Sequence, residues 1–258
     1  MKQDIYEVSA VQRYPIGFRY PKTDPLDLRA FRYAEAGAAL VAGWAARFVI
    51  PQICGFGAIA LPAEQGTREL TVTVAGADGI LGDGVIAENY LAGGYISIFT
   101  PAPMQSIIRM IKANTAQAIP AGVGGPMTLT LDKPLPMDVV VLNFHYECIA
   151  NLYKDVESTG NFPYAPAVGV PTMAVPLAAP FCWLQTWGPC WVTPTGVNEG
   201  LGENNRVVVF SGNGSINDRE NADQPAHGGE KNQLAGFVIA NLLTTAVGAP
   251  FIFLQIAP

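Results

Sequence analysis

Polar and apolar residues alternate with a period of two in Glu69-Leu70-Thr71-Val72-Thr73-Val74. Successive strand side chains point to opposite faces, so this pattern predicts a strand with one buried face. Residues 31–34, 94–99, 127–131 and 206–210 also read as strands. Residues 106–113 (SIIRMIKA) have a helical composition but strand-like isoleucine content, and are assigned to a strand. Residues 139–150 form a long apolar run, expected to be a central strand covered on both faces. Residues 36–46 are alanine-rich, but Gly37 and Gly43 weaken a helix there, and a loop with one helical turn fits as well. Turn chemistry falls at 77–84, 122–125 and 132–136. Residues 234–243 and 250–256 are expected to close the fold as a buried hairpin. The polar stretch 211–233 is expected to be a long surface loop.

Phe181-Cys182-Trp183-Leu184-Gln185-Thr186-Trp187-Gly188-Pro189-Cys190-Trp191-Val192 holds three of the four tryptophans. Gly-Pro suits the two central positions of a type II′ turn, so this stretch is expected to be a hairpin, with Trp187 facing Cys190. Both faces then carry large apolar groups, which implies a central hairpin of the C-terminal part. On that register Cys182 and Cys190 point to opposite faces and form no disulfide. Trp187, near the turn, is the ring expected to reach a subunit neighbour.

Charged residues make up 14% of the 258, apolar ones 50%, with 27 Gly and 21 Pro. This mix implies many short strands joined by tight turns, an all-β and mainly antiparallel fold of β-barrel or β-sandwich domains with little helix. Residues 1–30 are polar, aromatic and proline-marked, and read as an extended N-terminal arm that packs along its own domain or reaches a neighbour. Glycines and prolines at 158–166 mark the expected boundary between a β-domain at 31–157 and a C-terminal one at 158–258. The low charge fraction fits a protein whose surface is covered by neighbours. Net charge is −6, with +2 on residues 1–50 and −8 on the rest. An acidic body lacks the basic footprint of a nucleic-acid binder. Prolines or a Gly-Ala-Pro break interrupt the uncharged runs, so no membrane span is expected, and Lys2-Gln3-Asp4 does not open a secretory leader.

Candidate chemistry is sparse. The four cysteines lack zinc or redox spacing. Gly55-Phe56-Gly57-Ala58-Ile59-Ala60 matches a dinucleotide fingerprint, but Leu61-Pro62 follows where a helix must begin. His145 and Glu147 share a strand face and read as a hydrogen-bonded structural pair, with acid–base or metal chemistry as the alternative. His227-Gly228-Gly229 has no Gly-x-Ser-x-Gly partner to supply a nucleophile. Asn213, Ser215, Asn217 and Asp218, with Glu220 and Asp223, do not follow the EF-hand spacing. Asp78, Asp83, Glu88, Asp218 and Glu220 are the clustered acids, all in turn-type sequence. The tryptophans are flanked by Leu, Val, Cys and Pro, which fits core or interface better than a sugar platform. No catalytic residue, cofactor or metal site is assigned.

Four stretches, in order, carry a resemblance. They are Phe31-Arg32-Tyr33-Ala34-Glu35-Ala36-Gly37-Ala38-Ala39-Leu40-Val41-Ala42-Gly43, then Leu70-Thr71-Val72-Thr73-Val74 leading to Tyr90-Leu91-Ala92-Gly93-Gly94-Tyr95-Ile96, then Met127-Thr128-Leu129-Thr130-Leu131-Asp132-Lys133-Pro134-Leu135, and Phe181 to Pro189. Together they resemble structural proteins of tailed bacteriophages, of the capsid decoration (cement) type. The resemblance implies a non-enzymatic virion protein, made in the host cytoplasm, that binds the major capsid protein on the outer shell at capsomer junctions. It also implies a homotrimer. A major capsid protein would need a long spine helix that this sequence lacks. Tyr14, Arg19, Tyr20, Arg29 and Trp187 are the expected interaction residues, and no nucleic acid or membrane is expected as a partner. A head-fibre, tail or receptor-binding component, a glycan-binding β-module and a polysaccharide-degrading enzyme are the alternatives.

Overall fold

The computed structural model describes residues 3–22, 24–48, 57–79, 81–101, 104–117, 122–158, 165–194, 206–218, 233–239 and 251–258. Among these residues the protein is all-β, with fifteen strands and no helix. The strands form antiparallel sheets, one a half-barrel and the other a near-barrel. Strands β1 (Ala30–Glu35) and β2 (Ala46–Phe48) precede β3 (Gly57–Ala58), β4 (Glu69–Val74), β5 (Tyr95–Pro101), β6 (Met104–Asn114), β7 (Gly125–Leu131) and β8 (His145–Ile149). Then come β9 (Val156–Glu157), β10 (Ala167–Pro171), β11 (Phe181–Trp191), β12 (Val207–Phe210), β13 (Ile216–Asp218), β14 (Leu234–Val238) and β15 (Phe251–Gln255). Residues 36–46 hold bridges and turns up to the start of β2.

The chain divides into two compact units, Met1–Val49 with Tyr153–Pro258, and Ile50–Leu152. These are not the segments 31–157 and 158–258. The reason is long-range pairing: β2 pairs β9, with Phe48 opposite Val156, and β1 pairs β11. The second unit is therefore an insertion between two neighbouring strands of the first. Glycine and proline content locates turns but carries no information about which distant strands pair.

In the inserted unit the sheet order is β3-β8-β5-β6-β7-β4. Its buried side chains are those the alternation predicts: Leu70, Val72 and Val74 on β4, Ile96 and Ile98 on β5, Met127, Leu129 and Leu131 on β7. The expectation for 139–150 is corrected. Only His145–Ile149 is a strand, next to the two-residue β3 at the sheet edge. Val139 pairs with Ala63, and Leu142 has φ 77° and is 90% exposed. Alternate side chains of β8 are buried, so one face, not both, is covered. Tyr146 fills that face, its hydroxyl donating to the Thr73 carbonyl at 2.7 Å. Gly57 lies flat against its ring, where a Cβ would come within 2.3 Å.

In the first unit the order is β13-β12-β14-β15-β11-β10-β2-β9, with β1 also on β11. The strand β11 replaces the expected hairpin. It runs unbroken from Phe181 to Trp191, pairing with β1 over its first part and with β15 over its last. Gly188 has the positive φ that a type II′ turn also needs, at 87°. Here that conformation serves close approach: a Cβ on Gly188 would lie 2.7 Å from the Leu28 carbonyl oxygen and 3.0 Å from Arg29 Cα. The buried Gln185 amide braces the spot, donating to the carbonyls of Trp187 (3.1 Å) and Pro189 (2.7 Å) on either side of the glycine. Pro189 has no N–H, so it makes no further demand on the ladder.

Residues 3–22 lie along their own unit, one of the two arrangements expected of the arm. Ser9 bridges Phe181, Phe18 bonds Tyr33, and Tyr20 bonds Phe31, all through backbone. Their side chains Ile5, Tyr14, Ile16 and Tyr20 pack on the buried Phe31, Tyr33 and Trp183. The stretch 211–233 is not wholly a surface loop. Ser211, Ser215, Ile216 and Asn217 are buried, and Ile216–Asp218 is a strand paired with β12. Residues 219–232 lie outside the described residues, as does the 240–250 connection of the hairpin. That hairpin pairs as expected, with Phe237 opposite Phe253, but it is buried on one face only: Leu234, Phe237, Ile239 and Phe251 are exposed.

Candidate interaction surface

Cross-strand partners share a face, and so do residues two apart on a strand. The rows of β12, β14, β15 and β11 are thereby fixed. One is Val207–Phe237–Phe253–Pro189, the next brings Phe251 beside Trp191, and the third brings Gln255 beside Trp187. Ile239, two beyond Phe237 and bonded through its N–H to the Phe251 carbonyl, extends the second row. The opposite face carries Cys190, Val192, Val208, Val238, Ile252 and Leu254, packed into one buried cluster. Alternation thus gives both faces of this sheet apolar side chains. One face is core.

On the other face, the rows named above carry aromatic and apolar side chains and, among these described residues, no charged one. Trp191 is 54% exposed, Phe251 41% and Phe237 40%. With about 150–250 Å² per aromatic side chain, these three rings alone leave roughly 200–340 Å² open. Ile239 and Val207 add to it. Phe237 and Phe253 stack at 5.3 Å with planes 1° apart, and Trp187 meets Phe253 edge-on at 5.7 Å. The rings therefore hold one another in place. Trp191 is fixed from beneath: a Cβ on Gly43, whose φ is 73°, would fall 2.1 Å from its ring. A single residue breaks the local alternation. At the bulge opposite Val208, Ala235 turns inward and joins the core, which preserves the face on either side.

The expected interaction residues do not converge. Tyr14 and Tyr20 are half-buried against Trp183, at 5.2 and 4.9 Å between ring centroids. Arg19 is exposed on the same segment, where its backbone bridges Arg32. Arg29 is tied to Asp27 at 3.0 Å and lies over the Phe31 ring. The Arg29 hydrogen bond holds the Asp27 carboxyl below its ordinary value. Trp187 does belong to the aromatic face, half-buried, while Trp191 is the more open ring. Sequence reasoning missed Trp191, Phe237, Phe251 and Phe253 as a set. Their signal was the alternation Trp187-x-Pro189-x-Trp191, legible only if β11 is read straight through Gly188.

Some of the other candidates shape turns. Asn213 accepts from the Ser215 N–H and hydroxyl within the tight turn joining β12 and β13. Asp78 accepts from the Ala75 N–H at 2.8 Å and Asp83 from Val85 at 3.0 Å, both shaping turns. His145 and Glu147 share the less buried face of β8, and the His145 ring lies 6.1 Å from Phe99. Among the described residues no three His, Cys, Asp or Glu side chains gather. Gly57–Ala58 of the dinucleotide-like stretch is a strand, while Gly55, Phe56, Cys54, Glu220, Asp223 and His227 lie outside the described residues. Cys182 and Cys190 are unbridged, as expected, but not because a hairpin turns them to opposite faces: on the single strand β11 alternation puts them on the same side, eight residues apart, and burial pushes both thiols up to about 12.

Compared with known proteins, the chain matches no family model, no curated protein and no solved structure.

Proposed function

We propose that this chain is a non-enzymatic structural protein of a virion, attached as a homo-oligomer to the outer surface of a phage capsid at capsomer junctions, where it stabilises the shell. The observation that supports the reading is the aromatic face of the first unit, an apolar surface whose rings pack on one another. Exposed apolar patches of a few hundred Å² are often interaction sites, and cement proteins act by adding buried area between neighbours. The sparse charge, 14% of residues, supports the same reading, as does the ordered series of motifs resembling phage structural proteins. The inserted unit adds exposed apolar side chains of its own, among them Ile108, Tyr95 and Ile149, which share one face of β6, β5 and β8.

The test is co-sedimentation of the purified chain with capsids of its own phage that lack it, followed by thermal disruption of the shells. Saturable binding that raises the disruption temperature is expected. Failure to sediment with the shells, or turnover of a polysaccharide by the purified chain, would overturn the proposal.

A further inference from the structure

We propose that Arg19 and Arg32 form a surface site for a phosphate-type oxyanion, which ties the N-terminal segment to strand β1 of the first unit. The proposal goes beyond the virion reading and does not depend on it.

The pair follows from the register. Arg19 bridges Arg32, and the flanking bonds run from the Tyr20 N–H to the Phe31 carbonyl and from the Tyr33 N–H to the Phe18 carbonyl. Bonds placed on either side in this way make the two arginines a non-hydrogen-bonded pair. That is the closer kind of antiparallel pair, with Cα atoms about 4.5 Å apart and both side chains on one face. Tyr20 packs on Phe31 and Trp183, so alternation sends Arg19 to the face away from that aromatic groove. Two guanidinium groups therefore leave the sheet side by side. Like charges directly opposed across a sheet destabilise it.

No acidic side chain among the described residues offsets them. Arg29 and Asp27 form an ion pair, but neither Arg19 nor Arg32 has a carboxylate side chain at ion-pair distance. Two residues along the strands lie Gly17, Pro21, Ala30 and Ala34, and the next residue across is the buried Leu184. Arg32 makes long hydrogen bonds to the Gly17 oxygen (3.3 Å) and the Pro258 oxygen (3.4 Å), which offset at most one of the two charges. Its buried Nε has no hydrogen-bond partner. A guanidinium carries five N–H donors, so this one is under-used.

The site is open to a small ion. Arg19 is exposed, and the Arg32 Nη2 bond lies at the surface. A guanidinium fork takes two oxygens of a carboxylate or phosphate in parallel. A carboxylate has oxygens for one fork, whereas a phosphate has enough for two. One phosphate seated on both arginines would turn a repulsive pair into a bridge between the N-terminal segment and β1.

Differential scanning calorimetry of the full chain at pH 8 tests this, in about 20 mM phosphate against chloride of equal ionic strength. For a Kd of about 1–5 mM, the first unit should melt roughly 2–7 °C higher in phosphate. Phosphate also stabilises proteins by being excluded from their surface, so the decisive quantity is the part of the shift that a variant removes. Arg19→Gln should remove the saturable part, and in chloride it should melt no lower than the unaltered chain, because it relieves the opposed charges. Arg13→Gln takes the same charge from the same segment and should keep the shift. Acetate at equal ionic strength should give less than half of it. Equal losses in the two variants would reveal a diffuse field, and a lower chloride Tm for Arg19→Gln would reveal a partner already present in the fold. Either result overturns the proposal. So does a phosphate shift that survives Arg19→Gln, or an acetate shift as large as that of phosphate, which would hand the site to carboxylates.

Discussion

Replacing Gly188 by alanine perturbs the point on which the first unit turns. The strand β11 changes partner there, from β1 to β15, and the glycine has φ 87°. Holding an L-residue in that left-handed region costs about 1–2 kcal/mol. The added Cβ would also meet Leu28 carbonyl oxygen and carbon at 2.7 and 2.9 Å and Arg29 Cα at 3.0 Å. All three are backbone atoms, so no flexible side chain can give way, and Leu28 and Arg29 lead directly into β1. Forcing a methyl into such a space costs about 1–3 kcal/mol. The sum is about 2–5 kcal/mol. At about 2–4 °C per kcal/mol for a unit of this size, the first unit should melt roughly 4–20 °C lower. Gly66→Ala supplies the control. Its φ of 89° is nearly the same, but nothing lies within 4 Å of its Cβ, so it isolates the conformational part at about 1–2 kcal/mol. Differential scanning calorimetry of both variants measures the difference. Gly66 lies in the inserted unit, so the comparison is made in free energy: a Gly188→Ala destabilisation of the first unit no larger, in kcal/mol, than the Gly66→Ala destabilisation of the inserted unit would refute the account of β11 as a strand pressed against Leu28 and Arg29.

Three further outcomes are expected. Removing residues 1–22 strips Ile5, Tyr14, Ile16 and Tyr20 from Trp183 and Tyr33. At about 1.5–3 kcal/mol for full burial of each side chain, and with these half-buried, the loss should be roughly 3–6 kcal/mol, read in urea unfolding; an unchanged midpoint would count against the packing described. Cys182 and Cys190, with thiols pushed up to about 12 by burial, should react with iodoacetamide at pH 8 about 10³-fold slower in the folded chain than in urea, by peptide mass mapping; comparable rates would contradict their burial. Desolvation, followed by the charge of Asp155, raises the Glu35 carboxyl above its ordinary value. A raised carboxyl favours the protonated folded state, so stability falls as pH rises from the unfolded value through the folded one. Glu35→Gln should therefore stabilise the protein at pH 7, with the gain vanishing below about pH 4; a pH-independent effect would oppose this cause.

Strand existence was legible wherever one face is buried. The residues 70, 72 and 74 that alternation puts inside are inside, and β5, β6, β7, β12 and β14 fall where their patterns lie. What failed depends on information outside the local window. Gly188-Pro189 has dihedral preferences that suit both a turn and a kinked strand, and only the approach of Leu28, 160 residues away, decides between them. The apolar run 139–150 reads as one central strand because periodicity is blind to the turn at 141–143, where Leu142 takes the positive φ and the neighbouring Asn143 does not. Insertion of one unit between β2 and β9 follows from the pairing of Phe48 with Val156, a long-range match that no composition shift announces. The aromatic face was hidden by the same error. Read as a hairpin, the tryptophans looked like core on both sides; read as a strand, Trp187, Pro189 and Trp191 line up on one outer surface.

The proposal that this chain assembles on a virion shell is tested most directly by copy number. Quantitative mass spectrometry of purified particles, scaled to the major capsid protein, should find the chain in tens to hundreds of copies at a fixed ratio matching the shell's repeated capsomer junctions. A handful of copies per particle, or none, would contradict it.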